Sequence, residues 1–176
     1  MNVPNMLSLI RLCLVPVFAV VFFLPDPSAH QWAALIYAVA FATDIADGYI
    51  ARRFDMITKL GRVLDPLADK LMTFTVIICV TADGIIPVWA VVIFFCKELA
   101  MGVGGFLMLR RTKDVIPSNW LGKTSTGVFF VVLAALVLFP VPRPWATGLI
   151  AFALALTVAA LVSYAMNFRK MMQNNL

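Results

Sequence analysis

DIADGYIARR, residues 44–53, closes a long apolar run with two aspartates, a glycine and two arginines, and GRVLDPLADK, residues 61–70, opens the next run with two more aspartates. Asp44 and Asp47 are spaced i, i+3, and Asp65 and Asp69 are spaced i, i+4, so each pair occupies one face of a helix. Gly48 and Ala51 lie beside the first pair. Gly61 joins the second if that helix reaches so far back. Two neighbouring helices therefore present two carboxylates each, flanked by residues with little or no side chain.

The surroundings decide what such a cluster means. Of the 176 residues, 62% are hydrophobic and 13% charged, and the mean hydropathy is +0.96. A soluble domain carries about a quarter charged residues. This composition selects lipid as the main solvent. The net charge of +5 comes from basic residues that flank apolar runs, so it speaks for membrane orientation and against nucleic acid. Cys13, Cys79 and Cys96 each lie in an apolar run without CxxC spacing and are expected as small buried hydrophobes. His30, the one histidine, is placed in a polar connector beside PDPS and makes no metal site by itself. MNVPNMLSLIR lacks the basic n-region and cleavage site of a secretory signal, so the first helix is expected to stay.

Polar punctuation leaves six apolar segments, near 5–24, 31–53, 64–83, 86–109, 119–139 and 145–168, each about the length that crosses a hydrocarbon core. The fold expected is an all-α integral membrane protein of six transmembrane helices, a single domain over 1–176. Arg52, Arg53, Lys59, Arg62, Arg110, Arg111, Lys113, Lys123, Arg169 and Lys170 fall on one set of ends, and only Arg143 on the other. The positive-inside rule makes the first set, and both termini, cytoplasmic. Trp32, Trp89, Trp120 and Trp145 stand near segment starts, where interfacial anchors belong. Pro66 suits a helix start at the second aspartate pair. All four aspartates then meet at the inner membrane surface.

Four carboxylates in so small a volume repel, and Arg52 and Lys70 sit off their faces. Arg11, two turns into the first segment, is a costly cation in lipid, and it is expected to neutralise an aspartate or a phosphate. Divalent ions solve the rest of the problem. An oxygen-only donor set without His or Cys points to Mg²⁺, Mn²⁺ or Ca²⁺ rather than zinc. Two such ions can clamp a diphosphate for in-line phosphoryl displacement. The rival reading is a small ion or proton transporter, but its carboxylates would be strung across the bilayer rather than gathered at one face.

DIADGYIARRFDMITKLGRVLDPLADK resembles the signature of the CDP-alcohol phosphotransferases, D-x2-D-G-x2-A-R-x8-G-x3-D-x3-D, with every fixed position matched. The resemblance implies a transferase in which two divalent cations, Mg²⁺ or Mn²⁺, and the cytidine diphosphate head of a lipid share this site. By position, Asp44, Asp47 and Asp65 are implied metal ligands, and Asp69 a ligand and the base that takes the acceptor's proton. Gly48, Ala51 and Gly61 would accommodate the nucleotide, and Arg52 and Thr58 would contact its phosphates or ribose. NVPNMLSLIR resembles the N-terminal segment of phosphatidylglycerophosphate and cardiolipin synthases, which adds Asn5 and Ser8 as nucleotide-site candidates.

The implied donor is CDP-diacylglycerol. Arg110, Arg111, Lys113 and Lys123 in RRTKDVIPSNWLGK are candidates to bind a phosphorylated acceptor, of which glycerol 3-phosphate fits best, or else they enforce orientation and meet anionic lipid. SNWLGK itself resembles a phosphatidylglycerophosphate synthase segment. Phosphatidylglycerol, giving cardiolipin, is the alternative acceptor. Where those synthases carry Arg-Glu in the fourth helix and a further arginine, this chain has Lys97-Glu98 and then LAMGVGGFLM, so its acceptor pocket is less well furnished. GVGG reads as a close-packing surface, within the fold or at a dimer contact. A homodimer in a bacterial inner membrane, with the site at the cytoplasmic face, completes what the resemblance implies.

Overall fold

A chain this apolar must satisfy its backbone N–H and C=O groups within each segment, and the helix does so. The computed structural model describes residues 3–54, 61–112 and 120–174. Within them run α1 (Val3–Phe22), α2 (Ala29–Arg53), α3 (Gly61–Ala82), α4 (Val88–Thr112), α5 (Trp120–Leu138) and α6 (Arg143–Asn174), with no strand among the described residues. Five of these helices are long and apolar enough to cross a membrane. The exception, α3, carries Arg62, Asp65, Asp69 and Lys70 in its first half. The charges that mark the site are what lower its hydropathy.

Two compact units form. The first comprises residues 1–83 with 133–140, and the second comprises 84–132 with 141–176. In the first unit α1 packs along both α2 and α3, which also touch each other. The buried stripe of α2 runs Ala33, Tyr37, Ala40 and then Asp47, with half-buried Asp44 in register between them. That of α1 runs Asn5, Ser8, Arg11, Phe18 and Phe22. That of α3 includes Ala68, Met72, Val76 and Val80. These are the three- and four-residue steps that keep one helix face turned inward. Ala33, Ala40 and Ala68 let the backbones approach closely, which in lipid does the work that the hydrophobic effect does in water.

At the opposite end of this unit the rings of Phe22 and His30 lie 4.7 Å apart, and His30 Nε2 stands 4.0 Å from Asp83 Oδ2. Contacts at both ends thus fix α1, α2 and α3 as an up-down-up bundle. His30 belongs to the first turn of α2 rather than to a connector. The connector itself is tied by Asp26, whose Oδ1 accepts from the Ser28 amide at 2.6 Å and hydroxyl at 2.5 Å, holding that carboxyl below its usual pKa.

In the second unit α4 packs on α6, and the rings of Phe94 and Phe129 stack α4 against α5 at 4.8 Å. Ala90, Phe94 and Lys97 make the buried stripe of α4, and Ala146, Ile150, Ala153 and Thr157 that of α6. All four tryptophans are exposed near helix starts, as interfacial anchors require.

Three expectations need correction. Cys79 is buried, but Cys13 and Cys96 are exposed, on helix flanks left for lipid to cover. Pro66 does not start α3; it is the sixth residue, because the helix extends back to Gly61 and the proline removes only the one bond to the Arg62 carbonyl. The last helix outruns its expected end, reaching Asn174.

Just past α3, Gly84 has φ +74°, the left-handed conformation that stops a helix, while the Asp83 amide still bonds the Cys79 carbonyl at 3.0 Å. A Cβ there would also meet the Arg143 guanidinium at 2.5 Å, which can swing aside, so backbone strain dominates. Gly84→Ala should therefore lower unfolding stability in detergent by about 1–2 kcal/mol. Gly148→Ala, whose Cβ would enter open space on α6, should be neutral or stabilising. Equal losses for the two variants would refute the strain argument.

Candidate functional site

The polar end of the first bundle gathers residues from three helices. Arg11 is 1% exposed. Its Nη2 donates to Asp47 Oδ2, and its Nη1 lies 2.7 Å from Asp44 Oδ1. Three residues earlier on α1, the fully buried Ser8 hydroxyl donates to Asp65 Oδ1 on α3. One helix therefore reads both carboxylate-bearing helices, and the i, i+3 step from Ser8 to Arg11 sets which of them each side chain meets. Asp44 and Asp47 share a face, as their spacing requires, because a single guanidinium reaches both.

Removing one partner from a buried ion pair costs about 3–5 kcal/mol, since the other charge is left uncompensated. That magnitude decides the role of Arg11: without it, Asp47, whose side chain is 3% exposed, pairs with no other cation among the described residues. The guanidinium is nevertheless incompletely used. Among the described residues, Arg11 Nε and Nη1 have no hydrogen-bond acceptor; the Nη1 contact with Asp44 is close but misaligned. Asp44 keeps an accessible edge, its side chain 38% exposed.

Most of the expected site residues can now be placed. Asn5 and Ser8 are buried on the inner face of α1. Gly48 is half-buried beside Asp47, and Gly61 is buried as the first residue of α3, one turn before Asp65, which settles the condition attached to it. Asp69 is half-buried on α3, and the neighbouring Thr73 hydroxyl bonds its backbone carbonyl at 3.0 Å. Thr58 and Lys113 lie outside the described residues, as do the side chains of Ala51, Arg52, Arg110 and Arg111. In the second unit Lys123 is exposed near the start of α5. Lys97 is 9% exposed, pairs with Glu98 and lies 5.2 Å over the Phe94 ring, so the pair neutralises itself.

Arg11 meets two aspartates, as the cost of a cation in lipid leads one to expect. A lone cation in an apolar helix, three residues past a serine and six past an asparagine, was the signal for it.

The donor chemistry suits a hard divalent cation: anionic oxygens on adjacent helices, with no sulfur or imidazole among them. Among the described residues no three His, Cys, Asp or Glu side chains are placed to hold a metal ion. Arg11 brings positive charge to Asp44 and Asp47.

Comparison with known proteins agrees with this geometry. The sequence model of the CDP-alcohol phosphatidyltransferases matches residues 1–161. A Bacillus subtilis protein named CDP-diacylglycerol–glycerol-3-phosphate 3-phosphatidyltransferase is 33% identical over 153 residues, covering 80% of this chain and 79% of its own. A Rickettsia bellii protein of the same name is 36% identical over 138 residues, covering 78% and 75%. A Mycobacterium bovis protein provisionally named as a cardiolipin synthase is 32% identical over 168 residues, covering 96% and 79%. With its aspartate signature carried on two helices that α1 holds together, this chain belongs to the CDP-alcohol phosphatidyltransferase family.

Proposed function

We propose that this protein is a membrane-embedded transferase that moves a phosphatidyl group from CDP-diacylglycerol to glycerol 3-phosphate, releasing CMP. The observation that carries the reading is the convergence of Asp44, Asp47 and Asp65 at one end of a three-helix bundle, on the positions of the family signature. Relatives named for this reaction, similar over most of their length, support the acceptor. Six membrane crossings in one domain over 1–176, with both termini and the carboxylates on the cytoplasmic side, belong to the same reading; the distribution of Lys and Arg and the exposed tryptophans support it. The homodimer belongs to it too. Among the described residues the backbone at Gly102, Gly104 and Gly105 has open space beside it, so internal close packing does not explain this run.

The family signature supplies the reading of the reaction. The acceptor hydroxyl oxygen attacks the phosphorus that bears diacylglycerol, the P–O bond to the cytidylate breaks, and CMP leaves with the bridging oxygen and its electron pair. Asp69 takes the hydroxyl proton. Asp44, Asp47, Asp65 and Asp69 would hold two Mg²⁺ or Mn²⁺ ions, which when bound neutralise the diphosphate of the donor. Gly48, Ala51 and Gly61 leave room for the nucleotide, Arg52 and Thr58 contact its phosphates or ribose, and Asn5 and Ser8 orient the site from α1. Arg110, Arg111, Lys113 and Lys123 are the candidates to bind the acceptor phosphate. A transporter is the weaker reading. Its charges would run through the bundle, whereas the core between the two polar ends is filled by Phe18, Tyr37, Met72 and Val76.

Purified protein in detergent should release CMP from CDP-diacylglycerol when glycerol 3-phosphate and Mg²⁺ or Mn²⁺ are present. Release with phosphatidylglycerol instead would reassign the acceptor, and silence with every acceptor tried would remove the enzyme. Asp69→Asn should lower kcat by about 10²–10⁴-fold with helicity unchanged, the range for loss of a general base. Near-full activity would end that role. Lys123→Ala should raise KM for glycerol 3-phosphate by about tenfold, as for one lost charge-assisted contact, and leave KM for the nucleotide lipid unmoved. A parallel rise in both would place Lys123 outside the acceptor's binding.

A further inference from the structure

Arg11 is held by charge more than by fit. A guanidinium offers five N–H donors in a fixed fork and binds carboxylates best through paired, parallel hydrogen bonds. Here only Nη2 makes an aligned bond, to Asp47 Oδ2. Nη1 approaches Asp44 Oδ1 at 2.7 Å without alignment, and Nε, also buried, has no acceptor among the described residues. The two contacts also differ in setting. The Asp47 side chain is 3% exposed and closed in by its partner, while that of Asp44 is 38% exposed and open to an arriving ligand.

From this asymmetry we propose that Arg11 stands in for a divalent cation at Asp44 in the cation-free protein, and that cation binding exchanges the two at Asp44 while the Arg11–Asp47 pair stays intact. The proposal rests on the reading above that these carboxylates bind divalent cations, and it deepens that reading by assigning the competitor. A monocation whose second bond is misaligned holds Asp44 in place during folding and membrane insertion, yet yields to an ion that brings two charges to the same oxygens. Asp47 keeps Oδ2 on Arg11, which leaves its other oxygen for a cation and avoids stranding a buried guanidinium. An arginine chosen only to neutralise the cluster permanently would instead have both carboxylates aligned on its fork.

The test is Mn²⁺ binding to detergent-solubilised protein, read from the EPR signal of free Mn²⁺, without turnover. Arg11→Lys keeps one charge for Asp47 but cannot span to Asp44, so its Mn²⁺ affinity should exceed that of wild type by about threefold or more. Arg11→Met, which also removes the charge, should exceed it by about tenfold, the order expected when a competing unit charge a few ångströms away is lost. Arg11→Lys decides the matter where Arg11→Met does not fold. In wild-type protein, Mg²⁺ saturation should also shift the ¹⁵N signal of one buried guanidinium. Wild-type binding that Arg11→Lys leaves unchanged or weakens, or guanidinium signals indifferent to Mg²⁺, would overturn the exchange alone. If the wild type binds no Mn²⁺, the cation reading falls and the exchange falls with it.

Discussion

The ion pairs of Arg11 with Asp44 and Asp47 are the constraint on which the first unit depends. Membrane helices associate through close packing and interhelical polar contacts, because lipid provides no hydrophobic drive between them. The stripes of α1 and α2 pack as small and aromatic residues along most of their length and turn polar at one end. There the helices could part only by leaving a guanidinium and a carboxylate uncompensated in lipid, each a cost of several kcal/mol. Ser8 adds α3 to the same end through Asp65. Three helices are thereby held in register by aspartates of the family signature.

This double use explains why the carboxylates point inward. They do not interrupt the packing stripe of α2; they continue it, in the same three- and four-residue steps as Ala33, Tyr37 and Ala40. At the helical rise of about 1.5 Å per residue, the His30–Asp83 contact lies roughly 20 Å from Asp44. The intervening core is apolar and closed. The cluster of Asp44, Asp47 and Asp65 is thus confined to one end of the bundle, separated from the His30–Asp83 contact by that core.

Much of this was legible in the sequence. The six helices followed from apolar length and Pro/Gly punctuation, and the shared faces of the aspartates followed from their spacing. That Arg11 would meet an aspartate or a phosphate followed from the cost of a cation in lipid, but not which one: the choice of Asp44 and Asp47 depends on the rotation of α1 against α2, which single-chain periodicity leaves open. Likewise Ser8 looked like a nucleotide contact, and its bond to Asp65 is a tertiary fact. Cys13 and Cys96 were misplaced because in an all-apolar helix the lipid-facing flank and the core look alike. Pro66 misled because it marks where the α-helical bonding near the start of α3 loses a donor, not where the helix begins.

The second unit shows the same physics with a different result. Lys97 continues the buried stripe of α4 beyond Ala90 and Phe94, as Asp47 continues that of α2, yet its charge is met by the adjacent Glu98 and the face of Phe94. Lys97 is thus met by a neighbour on its own helix. Arg11 differs: it draws its partners from another helix, and among the described residues it keeps two buried nitrogens without acceptors. That open capacity, set against the carboxylates of the signature, is what lets Arg11 respond to a ligand arriving at Asp44.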